Sequence, residues 1–272
     1  MSSFSLASVC GVPLGLVLAS HLSWHVPFYV LGVLSLLILT FAARVLPVLR
    51  GHLQHATDEH PISRMITILR HKDHVMAFVF MAVLTLTGFL IFPYISNYMV
   101  ANVGLTEDEL PLIYLAGGGC TIFSLNWIGR WADRRGKHYV FRVVSFVALI
   151  PIALLTNLPH VPLPLAILVS TIFMICMSGR SVPAMAMMTG SIEARYRGGF
   201  MSINSSIQQF SAGVASMISG HVLGQTADGR ITNFWVVGII SLVCALACIY
   251  LARFLKTPVD PRAVSEPSFV EL

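Results

Sequence analysis

Charge is what this 272-residue sequence has least of: Asp, Glu, Lys and Arg together make up 11%, against about 25% in an ordinary globular chain. Carboxylates are the scarcer half, with 12 Asp and Glu against 17 Lys and Arg, and none of them stands in the middle of a long apolar run. Cysteine is sparse as well. The five, Cys10, Cys120, Cys176, Cys244 and Cys248, all sit inside apolar runs without metal-ligand or disulfide spacing, which excludes a disulfide-stapled secreted fold and leaves no metal site to expect. There is no H-E-x-x-H, no phosphate-binding glycine loop after a strand, and no nucleophile placed with an orienting His and Asp. An enzyme is therefore not expected, and no cofactor is implied. Residues 1–9 lack the basic start of a cleavable signal peptide. Apolar residues fill the gap that charge leaves, at 56% of the chain with a mean hydropathy of +0.79, and that excludes disorder and collagen.

Eight of the apolar runs are long enough to cross a bilayer at roughly 20 residues per helix: 4–21, 26–46, 75–100, 109–128, 139–156, 164–189, 199–223 and 233–254. The run 26–46 is apolar on every face, whereas a transmembrane strand alternates in polarity over about ten residues. The expected fold class is an all-α membrane protein with the lipid bilayer as its first partner.

Basic residues divide sharply between alternate connections. Arg44, Arg50, Arg64, Arg70 and Lys72 fall in one, Arg130, Arg134, Arg135, Lys137 and Arg142 in another, Arg195 and Arg197 in a third, and Arg253, Lys256 and Arg262 near the C-terminus. The intervening connections hold Arg230 alone, and Arg180 lies inside a run. Positive charge stays on the cytoplasmic side, so the expectation is a multi-pass protein of the inner (plasma) membrane with both termini cytoplasmic. The net charge of +5 follows from this topology, and no nucleic-acid partner is expected.

An internal repeat sets the register. Placing Phe28 over Phe234 also superposes Val30 on Val236, Gly32 on Gly238, Ser35 on Ser241 and Leu36 on Leu242. Chance likeness of short apolar segments is one explanation; a six-helix period is the other. On that period residues 1–47 hold the last two helices of an N-terminal six-helix half, 48–74 a cytoplasmic linker, 75–256 a complete C-terminal six-helix half, and 257–272 a cytoplasmic tail.

Two motifs fall in register with the repeat. GVPLG at 11–15 resembles the glycine-proline motif in the fifth helix of proton-coupled antiporters of the major facilitator superfamily. GRWADRRGK at 129–137 resembles that superfamily's G-x-x-x-D-R-x-G-[RK] signature between its eighth and ninth helices. The stretches 91–118 and 178–188 are similar to bacterial arabinose-efflux-type permeases of the drug:proton antiporter group, and the likeness covers essentially the whole chain. The resemblance implies a major facilitator fold, present as eight transmembrane helices of a twelve-helix bundle, with four helices expected upstream of Met1. It implies efflux of a small organic molecule by alternating access, with the proton as coupling ion. The eight helices alone are expected not to transport. A non-transporting remnant, or a membrane subunit whose partner supplies the remaining helices, is the other reading.

The candidate residues follow. Gly129 and Gly136 permit a sharp turn, and Asp133 ahead of the next helix can pair with Arg130 or Arg134, with Lys137 closing the motif. In the family reading this cluster latches the cytoplasmic side; in the plain reading it is a basic turn that sets topology. Gly11, Pro13 and Gly15 allow either close helix packing or a hinge. Arg180 is the one basic side chain well inside a run, where it either meets a substrate or a carboxylate, or snorkels toward the headgroups. The resemblance implies that 75–100 and 164–189 wall the substrate cavity, which makes Tyr94, Asn97 and Arg180 candidates, with Gln208 a fourth. An aromatic belt for Tyr94 and an interhelical hydrogen bond for Gln208 are the alternatives. Glu107, Asp108 and Glu109 read as capping groups at a helix start, so no run carries a carboxylate for proton coupling.

Overall fold

The computed structural model describes residues 11–46, 61–190, 192 and 196–255, and the structural statements below refer to these. Residues 4–10 of the first apolar run, residues 48–60 of the expected linker and the expected tail 257–272 lie outside them.

A helix stands at each of the eight expected positions. α1 spans Val12–His21 and α2 Val26–Val45. An additional helix, α3 (Pro61–Arg70), occupies the expected linker. α4 (Lys72–Phe89) runs on through a 3-10 turn at Phe92–Tyr94, an α turn at Ile95–Tyr98 and a π turn at Met99–Val103. α5 covers Leu110–Arg135, α6 Lys137–Thr156, α7 Leu163–Gly190 and α8 Arg197–Val222. A small hairpin, β1 (Gly224–Gln225) and β2 (Ile231–Thr232), then leads to α9 (Phe234–Leu251).

Six helices among the described residues are long and apolar enough to cross a membrane: Val26–Val45, Lys72–Val103, Glu107–Arg135, Lys137–Thr156, Leu163–Gly190 and Phe234–Phe254. Of the other two, α1 is described for ten residues. α8 is 26 residues long but opens on Ser202, Asn204, Ser205, Ser206, Gln208 and Gln209, a polar run suited to helix neighbours rather than to lipid tails.

The packing of α4 to α9 has an internal symmetry. α4 packs on α8 and α9, α7 packs on α5 and α6, and α6 packs on α9. Exchanging α4 with α7, α5 with α8 and α6 with α9 leaves this set unchanged, as two three-helix units related by a pseudo-two-fold axis require. Because lipid tails are as apolar as Leu, such helices are held by close van der Waals contact and interhelical hydrogen bonds. The α5–α7 seam shows the first: a methyl group on Gly117 would collide with Met174, and one on Gly179 with Ile128. The interior divides into a cluster around Ile95, Met99, Ile152, Phe173 and Phe234, a second around Phe78, Phe80, Phe141, Met187 and Phe200, and a small third of Ile128, Ala132, Val140 and Val144. Phe123, Ile150 and Phe210 point outward, as lipid-facing residues do.

The sequence reading placed GRWADRRGK in a loop with Asp133 just ahead of a helix. α5 instead continues through Arg135, so Asp133 is exposed in its last turn and makes no ion pair with Arg130 or Arg134 among the described residues. The whole reversal falls on Gly136, whose φ of 91° and ψ of 136° suit glycine. Lys137 already belongs to α6.

α1 packs against α5 and α2. Its GVPLG segment starts with Gly11 in helical geometry and Pro13 in the first described turn, and nothing stands within 4 Å of where a Cβ on Gly15 would be. α2 buries none of its residues.

Candidate functional site

The polar geometry of the bundle centres on a break in α4. Pro93 has no N–H to donate, and the turn before it tightens: Ile91 N donates to Gly88 O (3.0 Å) and Tyr94 N to Ile91 O (3.0 Å). Two carbonyls that a regular helix would use are thereby released. Ser241 on α9 donates to Thr87 O and Ser219 on α8 to Leu90 O, each at 2.7 Å. Neighbouring hydroxyls are how a broken helix remains tolerable in an apolar medium. The Tyr94 hydroxyl also donates to Ser216 O (3.0 Å), and that of Tyr98 to Leu158 O (2.9 Å).

Beyond the break the helix ends in a π turn and Gly104 takes a φ of 89°. Asn102 then clamps the hairpin. Its Nδ2 donates to Ile231 O and its Oδ1 accepts from Ile231 N, both at 2.8 Å, so one side chain fixes β2 against the end of α4. Thr106 and Glu109 form a reciprocal capping box that starts the next helix.

Between these parts lies a cavity of about 710 Å³. α1 gives it Leu16, Ala19 and Ser20; the broken end of α4 gives Tyr94, Ser96, Asn97, Val100 and Ala101; Glu107 and Leu110 follow. The end of α8 and the hairpin close it with Gly220, Leu223, Gln225 and Ile231. Its wall is apolar with a few convergent polar groups, the composition of a small-molecule site. Glu107 is the one charged residue on the wall among the described residues, and Ser96 hydrogen-bonds the Tyr114 hydroxyl at 2.6 Å.

Of the residues singled out in the sequence, Tyr94 and Asn97 line this cavity. Gln208 is half-buried farther back on α8 and is not on the lining. Arg180 is 2% exposed and turned into the core. Its Nη2 donates to Leu84 O at 3.2 Å, its Nε and Nη1 have no partner, and the thiols of Cys176, Cys244 and Cys248 are its electrostatic neighbours. It stands among α4, α7 and α9 and is not on the cavity lining. Ser20, Ser96 and Gln225 were not singled out in the sequence, and Glu107 was read there only as a capping group; for Ser96 the nearby Pro93, which breaks the helix, was the available signal. No cluster of His, Cys, Asp and Glu among the described residues is arranged to hold a metal ion.

Comparison with known proteins gives two findings. A family model described as Major Facilitator Superfamily matches residues 76–271. The chain is also 22% identical over 248 residues to a Bacillus subtilis (strain 168) protein described as "Uncharacterized MFS-type transporter YbcL". That alignment takes in 91% of this chain and 62% of the relative, so the chain spans less than two thirds of the relative's length.

Proposed function

The chain belongs to the major facilitator superfamily, and we propose that it serves the export of a small organic molecule across the inner membrane, coupled to protons, by alternating access. The observation that carries this reading is the 710 Å³ cavity walled by α1, the broken end of α4, the end of α8 and the hairpin. It joins a helix of the first half to helices of the second, which is where rocking halves of such a fold expose a path alternately to each side. Asn97, Ser20, Ser96 and Gln225 orient the molecule and the aliphatic wall takes its apolar part. The distribution of basic residues puts the α5–α6 turn, the linker and both termini in the cytoplasm, and the cavity at the outer side. Gly136 then acts as the fixed corner of a cytoplasmic latch formed with Gly129, Arg130, Asp133, Arg134 and Lys137, and Gly11, Pro13 and Gly15 form the flexible seam of α1.

Because the eight helices alone are expected not to transport, the reading is tested on a form of the protein that carries all twelve helices of the fold, in vesicles loaded with a pH-reporting dye and challenged with a panel of organic cations, weak acids and sugars. Proton movement is expected with some compounds and is lost in Asn97→Leu. Silence across the panel counts against transport. A second reading rests on α2, which buries no residue: the chain is a non-transporting or partner-dependent subunit whose α2 meets another membrane protein. Co-purification of a small helical membrane protein, lost when Gly32 is changed to Leu, favours it.

A further inference from the structure

The ten residues of α3 carry more apolar surface than the protein covers. At about 100° per residue, Ile68, Met65, Leu69 and Ile66 share an arc of about 160°, while Arg70, Ser63 and Thr67 occupy the other side. Ile68 sits at one edge of the apolar arc and is 1% exposed; it enters the cluster of Ala77, Phe78 and Phe200. A Cβ on Gly199 would come within 2.9 Å of its Cδ1. His74 Nδ1 lies 3.1 Å from Ile68 O and secures the C-terminal turn. The helix is thus held along one edge, and Met65, Ile66 and Leu69 on the remainder of the arc stay 42–48% exposed.

Position decides what covers them. Only His71 separates α3 from α4, which begins at Lys72 and crosses the membrane. A helix tied so closely to the start of a span lies at the level of the headgroups. Arg70, His71 and Lys72 are exposed at that junction, and Arg197 is exposed at the start of α8, against which α3 packs. An apolar stripe beside positive charge, at that depth, is the pattern of a helix lying in the interface of an anionic bilayer.

We propose that α3 is a membrane-surface helix: Met65, Ile66 and Leu69 enter the boundary between headgroups and acyl chains, Arg70 and Lys72 engage anionic phospholipid headgroups, and Ile68 couples the helix to α4 and α8. The link between the two halves is then anchored to the bilayer as well as to the protein.

Nitroxide probes test this. With the five native cysteines replaced, single changes Ser63→Cys, Met65→Cys, Ile66→Cys, Thr67→Cys and Leu69→Cys are labelled in the whole chain, reconstituted in vesicles containing phosphatidylglycerol. Collisions with oxygen and with a water-soluble nickel complex are then compared. Oxygen is expected to dominate at 65, 66 and 69, at a depth of about 5–10 Å, and nickel at 63 and 67. Nickel dominating throughout overturns the proposal, because the face is then in water. Shielding from both reagents at 65, 66 and 69 also overturns it, because another protein segment then covers the face. Since replacing five cysteines risks misfolding, Met65→Trp and Thr67→Trp in the otherwise native chain give a second reading in vesicles with bromine-labelled acyl chains. The added emission is expected to be quenched in Met65→Trp and spared in Thr67→Trp; equal quenching contradicts the assignment.

Discussion

α2 and α9 carry the same residue at five matched positions and live in opposite surroundings. Phe234 is 2% exposed and packs on Tyr98 with ring centroids 4.4 Å apart, whereas Phe28 is 66% exposed. A methyl group on Gly238 would collide with Thr156; one on Gly32 would meet nothing within 4 Å. Ser241 donates across to Thr87 O on α4, while Ser35 turns back to Leu31 O of its own helix, each at 2.7 Å. In an apolar medium a small residue or a hydroxyl contributes to stability only when a neighbour meets it; otherwise the glycine leaves an unused groove and the serine satisfies itself locally. The pair therefore separates what a sequence offers from what packing uses.

Four pairs of substitutions can break or sharpen that contrast. Phe234→Ala removes the ring packed between the end of α4 and α9 and is expected to cost about 3 kcal/mol, while Phe28→Ala stays within about 0.5 kcal/mol. Reversible unfolding in mixed micelles measures both. Gly238→Leu forces α6 and α9 apart, with an expected loss of about 1–3 kcal/mol and a lowered melting temperature; Gly32→Leu is expected to leave the melting temperature unchanged. A matching drop in Gly32→Leu would mean that α2 has a protein neighbour and would move weight to the partner-dependent reading. Gly136→Ala places a Cβ at a φ of 91° and is expected to cost about 1 kcal/mol, whereas Gly129→Ala, inside α5 where ordinary contact with Val182 is all that a methyl group meets, is expected to be neutral or to stabilise by about 0.5 kcal/mol. Ser241→Ala strips the hydroxyl from Thr87 O and is expected to cost about 0.6 kcal/mol, with no measurable effect from Ser35→Ala.

Much of the helical layout was legible because bilayer-length apolar runs announce themselves, and the acidic group Glu107, Asp108 and Glu109 marked the start of a helix. The cavity residues Tyr94 and Asn97 stood out as polar groups near the outer end of a run that the family resemblance makes a cavity wall. α3 was hidden because ten residues with two arginines look like any charged linker until Ile68 is seen against Phe78 and Phe200. The hairpin was hidden because strands of two residues have no periodicity of their own, and Asn102, more than a hundred residues away in sequence, holds them. The surroundings of Arg180 were hidden for a different reason. α7 is apolar around its whole circumference, so no periodic signal says which face turns toward α9 and its cysteines. The extension of α5 through GRWADRRGK was likewise unreadable, because charge in a connection marks topology without marking where the helix stops.

Access to Asn97 from the two sides of the membrane is the most direct measure of the transport reading. The single change Asn97→Cys, in a form of the protein that carries all twelve helices of the fold and whose native cysteines are replaced, is labelled with an impermeant maleimide in sealed vesicles of known orientation under opposite pH gradients. Labelling from the outer side is expected to rise under one gradient and fall by several-fold under the other. Labelling that is the same under both gradients would contradict a cavity that opens alternately to the two sides.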